Sequence, residues 1–106
     1  MLTIEKITGA IGAEISGVSL NNDLTTEVCN EIYEALIDNQ VIFFRNQNIT
    51  PEVHIQLAES FGEPEPPHPV YPHVEGYENI VLLKSGGGDV PDTNDWHKDM
   101  TFKTNP

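Results

Sequence analysis

Hydrophobic positions in the middle of the chain predict an amphipathic helix from Thr25 to Asn39. Apolar side chains recur there at four-residue steps between polar ones, which is the spacing of a helix with one buried face. Thr25 or Thr26 can cap the start, and Glu27 suits the positive end of the helix dipole. The predicted buried stripe consists of Val28, Ile32 and Leu36, widened by Cys29, Ala35 and Ile37.

Short apolar segments on both sides of this helix predict strands. Residues 2–7 suggest an opening strand, although the alternation of apolar and polar positions is imperfect. Residues 41–44, VIFF, are β-branched and aromatic and lie between polar residues, so they predict a buried strand. Residues 80–83 predict another strand. Residues 96–102 predict a last one, in which Trp96 is expected to pack in a core.

A second helix is predicted to begin after Thr50. A threonine followed by a proline is typical of a helix start, because threonine caps the first turn and Pro51 loses no helical hydrogen bond there. Gly62 is a natural stop for this helix. Its predicted apolar stripe is Val53, Leu57 and Phe61.

Two loops separate the later strands. Residues 63–72, EPEPPHPVYP, contain five prolines, which forbid a helix and most sheet pairing. This stiff segment carries His68 and Tyr71 and is followed by His73. It could be a binding loop, but aromatic residues beside prolines commonly just pack a loop onto a sheet. Residues 85–95 form a second loop, rich in glycine and aspartate.

The charge of the chain disfavours several kinds of partner. The 106 residues carry a formal charge of −12, which disfavours nucleic-acid and anionic membrane surfaces. The single cysteine permits no disulfide within one chain, which indicates a reducing compartment. No signal peptide is visible, and the longest apolar run is far too short to span a bilayer. We therefore expect a soluble cytoplasmic protein with no nucleic-acid or membrane partner.

The tripeptide His97-Lys98-Asp99 is the main candidate for chemistry. On an extended backbone, alternate side chains share a face, so His97 and Asp99 would project together. An imidazole beside a carboxylate supplies two of the three ligands of a non-haem iron site. The pattern alone is weak evidence, because a surface ion pair gives the same residues.

Four longer segments resemble one family, in its order and at its spacing. They are IGAEISGVSL, VIFFRNQNITPE, FGEPEPPHPVYPH and NDWHKDMTF. Together they resemble the iron(II)- and 2-oxoglutarate-dependent dioxygenases of the taurine dioxygenase type, over nearly the whole chain. The resemblance implies an α+β, mainly β fold: a double-stranded β-helix, or jelly roll, with flanking helices. Such a fold needs about eight strands. Residues 1–106 are therefore expected to be the N-terminal part of a single catalytic domain whose remainder is absent.

The resemblance also implies site residues. His97 and Asp99 occupy the first two iron-ligand positions, and His68 occupies a sulfonate-binding position. Thr93 departs from the family pattern, because taurine-type members carry an asparagine there and Asn94 lies one place later. The third iron ligand and the residues that bind 2-oxoglutarate are expected downstream of Pro106. The other implied substrate contacts are Tyr71 and Asp92 at the amine end, Asn94 if the loop is shifted, and the backbone of Met100 near the sulfonate.

The implied activity is hydroxylation of a small sulfonate such as taurine, with Fe(II), O2 and 2-oxoglutarate. The products would be sulfite, succinate and CO2, and the 106-residue chain by itself is expected to be inactive. The substrate is a small anion, and the intact protein is open to homo-oligomer formation. Within the class, the alternatives are an alkyl sulfate, another sulfonate or a small carboxylic acid. From another class, a non-catalytic interaction domain remains open, as does a zinc-binding module using His68, His73, His97 and Asp99.

Overall fold

Five strands and two helices make up the part of the chain that the structure describes. The structure is a computed structural model that describes residues 2–84, 86–88, 95–97 and 104. The elements in chain order are β1 (Thr3–Lys6), β2 (Ala13–Ser16), α1 (Thr26–Asn39), β3 (Ile42–Phe44), α2 (Pro51–Glu59), β4 (His73–Val74) and β5 (Tyr77–Val81).

The first three strands form one sheet in the order β1-β2-β3. Strands β1 and β2 pair antiparallel, whereas β2 and β3 pair parallel. A parallel pair needs a long crossover, and α1 provides it. The register aligns Ile15 with Ile4 on one side and with Phe44 on the other, so these apolar side chains share one face of the sheet.

The core lies between this sheet and helix α1. Ile15 and Ile32 are fully buried, with 1% and 0% of their surfaces exposed. Three side chains of α2 and its C-terminal end pack against this core while remaining partly exposed: Val53, Leu57 and Phe61. The remaining buried members of the cluster are Val18, Leu20 and Ala35.

Helix α1 forms where the sequence predicted it, but its buried stripe is narrower than predicted. Thr25 is the cap, since its hydroxyl accepts a hydrogen bond from the Val28 amide at 3.2 Å. Ile37 was wrongly included in the stripe, because 60% of its surface is exposed. It lies about 140° around the helix from Ile32, well off the buried face. At the other end the buried Asn39 amide donates to the Ala35 carbonyl at 2.9 Å.

Helix α2 begins as predicted and ends earlier. The Thr50 hydroxyl accepts from the Val53 amide at 3.3 Å, and Pro51 lies in the first turn. The helix ends at Glu59 instead of continuing to the predicted stop at Gly62. The chain still turns there, because the Gly62 amide donates to the Ala58 carbonyl at 3.2 Å. Neither helix in the described part of the chain is long and apolar enough to span a bilayer.

Strand β3 was wrongly predicted to be buried throughout. Ile42 and Phe44 pack against the core, but Phe43 is 44% exposed. The helices cover one face of the sheet only, so alternate side chains of the strand face away from them. Phe43 joins Ile7, Ile11 and Val41 in a shallow apolar patch at one end of that open face.

The last two strands form a separate hairpin. Val74 pairs with Tyr77 around a turn in which Gly76 adopts a positive φ of 81°. The strand predicted at residues 80–83 is therefore displaced to Tyr77–Val81. The described strands form two small sheets and no closed barrel, so the jelly roll itself is not seen among them.

Candidate functional site

The proline-rich segment is an irregular loop that brings His68 and Tyr71 together. Their rings lie 4.7 Å apart between centroids and are tilted by 42°. Nδ1 of His68 accepts hydrogen bonds from the amides of Val70 and Tyr71, both at 3.0 Å. The two residues implied as substrate contacts are thus neighbours, arranged by a turn around the histidine ring.

Hydrogen bonds from the hairpin fix both ends of this loop. The Asn79 side-chain amide donates to the Glu65 carbonyl near the start of the loop. The Leu82 amide donates to the Pro72 carbonyl at its end, at 2.8 Å. No sequence pattern signals the role of Asn79, because an exposed asparagine in a short strand resembles any other surface residue.

The hairpin is in turn attached to α2 by a pair of side chains. The Tyr77 hydroxyl donates a hydrogen bond to the Glu52 carboxylate. This bond lowers the pKa of Glu52 below its ordinary value of 4.5. It also raises the pKa of Tyr77 above its ordinary value of 10.0. The charged carboxylate and the neutral phenol are therefore the forms that favour this contact.

His97 has its ring oriented by a neighbouring carbonyl. Its Nδ1 lies 2.8 Å from the carbonyl oxygen of Asp95. A carbonyl oxygen can only accept, so Nδ1 carries the proton, and in the neutral ring Nε2 then has the lone pair. This arrangement is common among metal-binding histidines, which donate the other ring N–H to a carbonyl or carboxylate. His97 therefore fits ferrous iron as a ligand through Nε2.

The predicted partner of His97 lies outside the described residues. Asp99 cannot be placed, so its convergence with His97 stays a prediction. The described residues include no cluster of three or more metal-ligating side chains. The predicted contacts at Asp92, Asn94 and Met100 also fall outside the described part.

The prediction that residue 96 belongs to a core and to a strand is wrong for this chain. The Trp96 side chain is fully exposed, and neither it nor His97 belongs to a strand. No described residue packs over the indole ring. The rest of the strand predicted to follow lies outside the described residues.

Sequence comparison decides the family. The taurine catabolism dioxygenase TauD, TfdA family matches residues 3–106, nearly the whole chain. This chain belongs to that family. The family resemblance predicted from the four sequence segments is therefore confirmed.

Two curated relatives are similar to the chain over almost its whole length. It is 39% identical to an alkylsulfatase of Acinetobacter baylyi, over 95% of this chain and 31% of that protein. It is 38% identical to an alpha-ketoglutarate-dependent sulfate ester dioxygenase of Pseudomonas putida, over 95% of this chain and 33% of the relative. The chain thus spans about a third of the length of these relatives.

The fold agrees with the family assignment. A taurine dioxygenase from Burkholderia xenovorans superposes with a TM-score of 0.70 at 35% identity, covering 78% of this chain and 31% of that structure. Most of the chain thus has the fold of part of that taurine dioxygenase.

Proposed function

We propose that this chain forms the substrate-binding third of a 2-oxoglutarate-dependent oxygenase whose substrate is an alkyl sulfate ester. The observation that carries the proposal is the match, over 95% of the chain, to two relatives named for sulfate ester chemistry. Hydroxylation of the carbon that bears the ester oxygen gives an unstable product. That product separates into an aldehyde and sulfate.

Taurine is the second candidate substrate, supported by the taurine dioxygenase to which the fold is similar. Two features favour the ester over taurine. The first is the sulfate ester chemistry in the names of both curated relatives. The second is Thr93, which replaces the asparagine expected at the amine end of the substrate. An alkyl sulfate has no amine, so this replacement costs it no contact.

The proposed substrate site has to oppose a negative field. The chain carries a formal charge of −12, so a sulfate group needs local hydrogen-bond donors in a site shielded from water. His68, whose ring lies beside that of Tyr71, supplies such a donor on a loop whose prolines limit the entropy lost on binding.

His97 and Asp99 would hold the ferrous iron. His97 presents Nε2 for this purpose, because the Asp95 carbonyl engages Nδ1. Bound ferrous iron supplies oxidation of a substrate C–H bond by O2, coupled to conversion of 2-oxoglutarate into succinate and CO2. The contribution of the protein is to hold the reacting carbon close to the metal through the anchored anion. Cytoplasmic location, homo-oligomer formation and the lack of nucleic-acid or membrane partners stay predictions.

The proposal can be tested by grafting residues 3–106 into two hosts. One host is the Pseudomonas putida relative and the other is the Burkholderia xenovorans taurine dioxygenase, each losing its matching segment. If this segment selects the substrate, both chimeras will oxidise hexyl sulfate in preference to taurine. Succinate, aldehyde and sulfate will then form in equal amounts.

Folding of each chimera is checked by its thermal melt and by Fe(II) binding. A His97→Ala version is the inactive control, since it removes an iron ligand. Folded, iron-binding chimeras that release sulfite from taurine and leave hexyl sulfate untouched would establish the second candidate. Folded chimeras that oxidise neither compound would contradict both candidates.

A further inference from the structure

We propose that Lys84 is the cation that attracts an anionic substrate to the loop of residues 63–72. The inference deepens the proposed function and rests on it, because it requires a substrate with a net negative charge. Lys84 acts through the electric field around the loop and not through a hydrogen bond to the substrate. Its contribution should therefore depend strongly on ionic strength.

The register of the hairpin places Lys84 beside the loop. The Leu82 amide donates to the Pro72 carbonyl at 2.8 Å, which continues the antiparallel pairing of β4 and β5 by one residue. The same register, counted two residues further, brings Lys84 alongside Val70. Paired backbones lie about 5 Å apart. Lys84 therefore flanks the turn in which the Val70 amide binds the ring of His68.

Lys84 is the one basic residue in a region that is otherwise acidic. Residues 63–84 contain no other lysine or arginine. The acidic residues of the same segment are Glu63, Glu65, Glu75 and Glu78. A sulfate group that approaches the loop is repelled by these carboxylates and by the charge of −12 on the whole chain. Lys84 supplies the opposite sign where the substrate has to enter.

The other basic residues in the described part of the chain have acidic neighbours. Arg45 forms an ion pair with Glu14 at 2.8 Å. Lys6 lines a cavity against α1 together with three acidic side chains. These are Glu31, Glu34 and Asp38. Lys84 is exposed and forms no hydrogen bond or ion pair with any residue that the structure describes, so no local carboxylate neutralises it there.

The chemistry of lysine suits attraction over a distance. Its ammonium group is a compact, strongly hydrated charge on a flexible stem, which favours a solvated position over a fixed contact. The field of such a charge extends over about 30 Å at 0.01 M salt and about 3 Å at 1 M salt. Attraction by Lys84 should thus disappear at high salt, whereas a direct contact with the substrate would persist.

The test is the salt dependence of kcat/KM of the Pseudomonas putida chimera with hexyl sulfate. At about 0.01 M salt, Lys84→Gln should lower kcat/KM roughly threefold to tenfold, through KM and not kcat. At about 1 M salt the variant and the unmodified chimera should be equal. Lys84→Arg keeps the charge and should behave like the unmodified protein at every salt concentration.

Lys6→Gln is the matched control, because it removes the same charge from a position among acidic residues on the other side of the core sheet's edge strand, β1. It changes the net charge of the chain equally and should leave the salt dependence nearly unaltered. Equal effects of the Lys6 and Lys84 variants would show that only net charge matters and would refute the proposal. An effect of Lys84→Gln that persists at about 1 M salt would refute it as well.

Binding without turnover separates this proposal from the proposed function. Hexyl sulfate is titrated into the 106-residue chain at low salt, and nuclear magnetic resonance follows the amide signals of Val70 and Tyr71. Binding should be weaker in Lys84→Gln than in Lys6→Gln. That result in a chain whose chimera oxidises no sulfate ester would contradict the proposed function and support the attraction. Equal binding by the two variants, or none by the unmodified chain, would refute the role of Lys84.

Discussion

Two parts of this molecule are stabilised in different ways. Every buried residue in the described part of the chain lies between Gly12 and Asn39, where the sheet meets α1. Residues 63–84, which include the His68 loop and the hairpin, contain no buried residue. Individual hydrogen bonds hold that second part in place, at Asn79, Leu82 and Tyr77. The implied substrate contacts His68 and Tyr71 lie where burial contributes least.

The lack of buried residues in the second part suits a binding loop. A packed core has one arrangement, and its loss unfolds the whole unit, whereas a region with few buried contacts opens locally at a low free-energy cost. The five prolines of residues 63–72 reduce that freedom without adding a core, because they restrict the unfolded loop as well. The loop is therefore shaped by its sequence and by a few identifiable bonds.

The largest effect is expected in the core. Ile32→Ala should destabilise the chain by about 2–5 kcal/mol, because a fully buried side chain leaves a cavity. Ile32→Val should cost about 0.5–1.5 kcal/mol and provides a graded version if the alanine variant does not fold. The free energy of unfolding is measured by urea denaturation.

Leu83→Ala is the matched control in the second part, where 72% of the leucine surface is exposed. It should change stability by less than about 0.5 kcal/mol. A cost equal to that of Ile32→Ala would show that residues 63–84 share a core with the sheet and α1.

A smaller effect is expected at the start of α1. Thr25→Ala should cost about 1 kcal/mol, since the hydroxyl satisfies the Val28 amide at 3.2 Å. Thr25→Ser should keep most of the stability. The sequence allowed Thr25 or Thr26 as the cap, so Thr26→Ala tests the assignment: an equal loss of urea stability there would place the cap one residue later.

The difference between the packed core and the exposed loop also explains which features of the fold the sequence could predict. Helix α1, its stripe around Ile32 and the cap of α2 at Thr50 follow from local periodicity and from hydrogen bonds within one turn. Phe43 was misjudged because its exposure depends on which face of the sheet is covered. The hairpin boundary was displaced by the turn at Gly76.

The candidate site likewise contains residues that the sequence pointed to and contacts that it could not predict. Family resemblance implied His68 and Tyr71 as substrate contacts, and the structure places their rings side by side, while their role stays a prediction. The bond from Asn79 to the Glu65 carbonyl joins residues that are distant in sequence, and no local pattern encodes such a pairing. The role of His97 as an iron ligand stays a prediction, because Asp99 lies outside the described residues.

Asn79→Ala should loosen the loop without unfolding the core. Loss of the bond to the Glu65 carbonyl removes a net contribution of about 1 kcal/mol from local order. Amide exchange at Val70 and Tyr71 should accelerate, while the urea midpoint of the whole chain stays nearly constant. The neighbouring exposed residue in Glu78→Ala is the control. A large fall in the midpoint would mean that the hairpin and the core unfold as one unit.

The smallest effect is a pH dependence at the contact between α2 and the hairpin. The pKa of Glu52 is lowered in the folded state, so its contribution is complete above the ordinary value of 4.5 and is lost as the pH falls through the lowered value. Tyr77 has a raised pKa, so its contribution is present below 10.0 and is lost as the pH rises past the folded value. The Glu52 side chain is exposed and Tyr77 is half-buried, so screening by solvent keeps the effect small.

The chain has 17 acidic residues, so the effect of Glu52 has to be separated from that of the other 16. Tyr77→Phe does this, because it removes the hydroxyl that binds Glu52 and leaves the ring. On acidification below 4.5, the amide signals of β5 should shift in the unmodified chain and stay nearly constant in the variant. The same variant should abolish any loosening of the hairpin above 10.0. Identical acid responses in both proteins would show that the hairpin is attached by apolar contacts. In that case the second part of the molecule would resemble the first more closely than its exposure indicates.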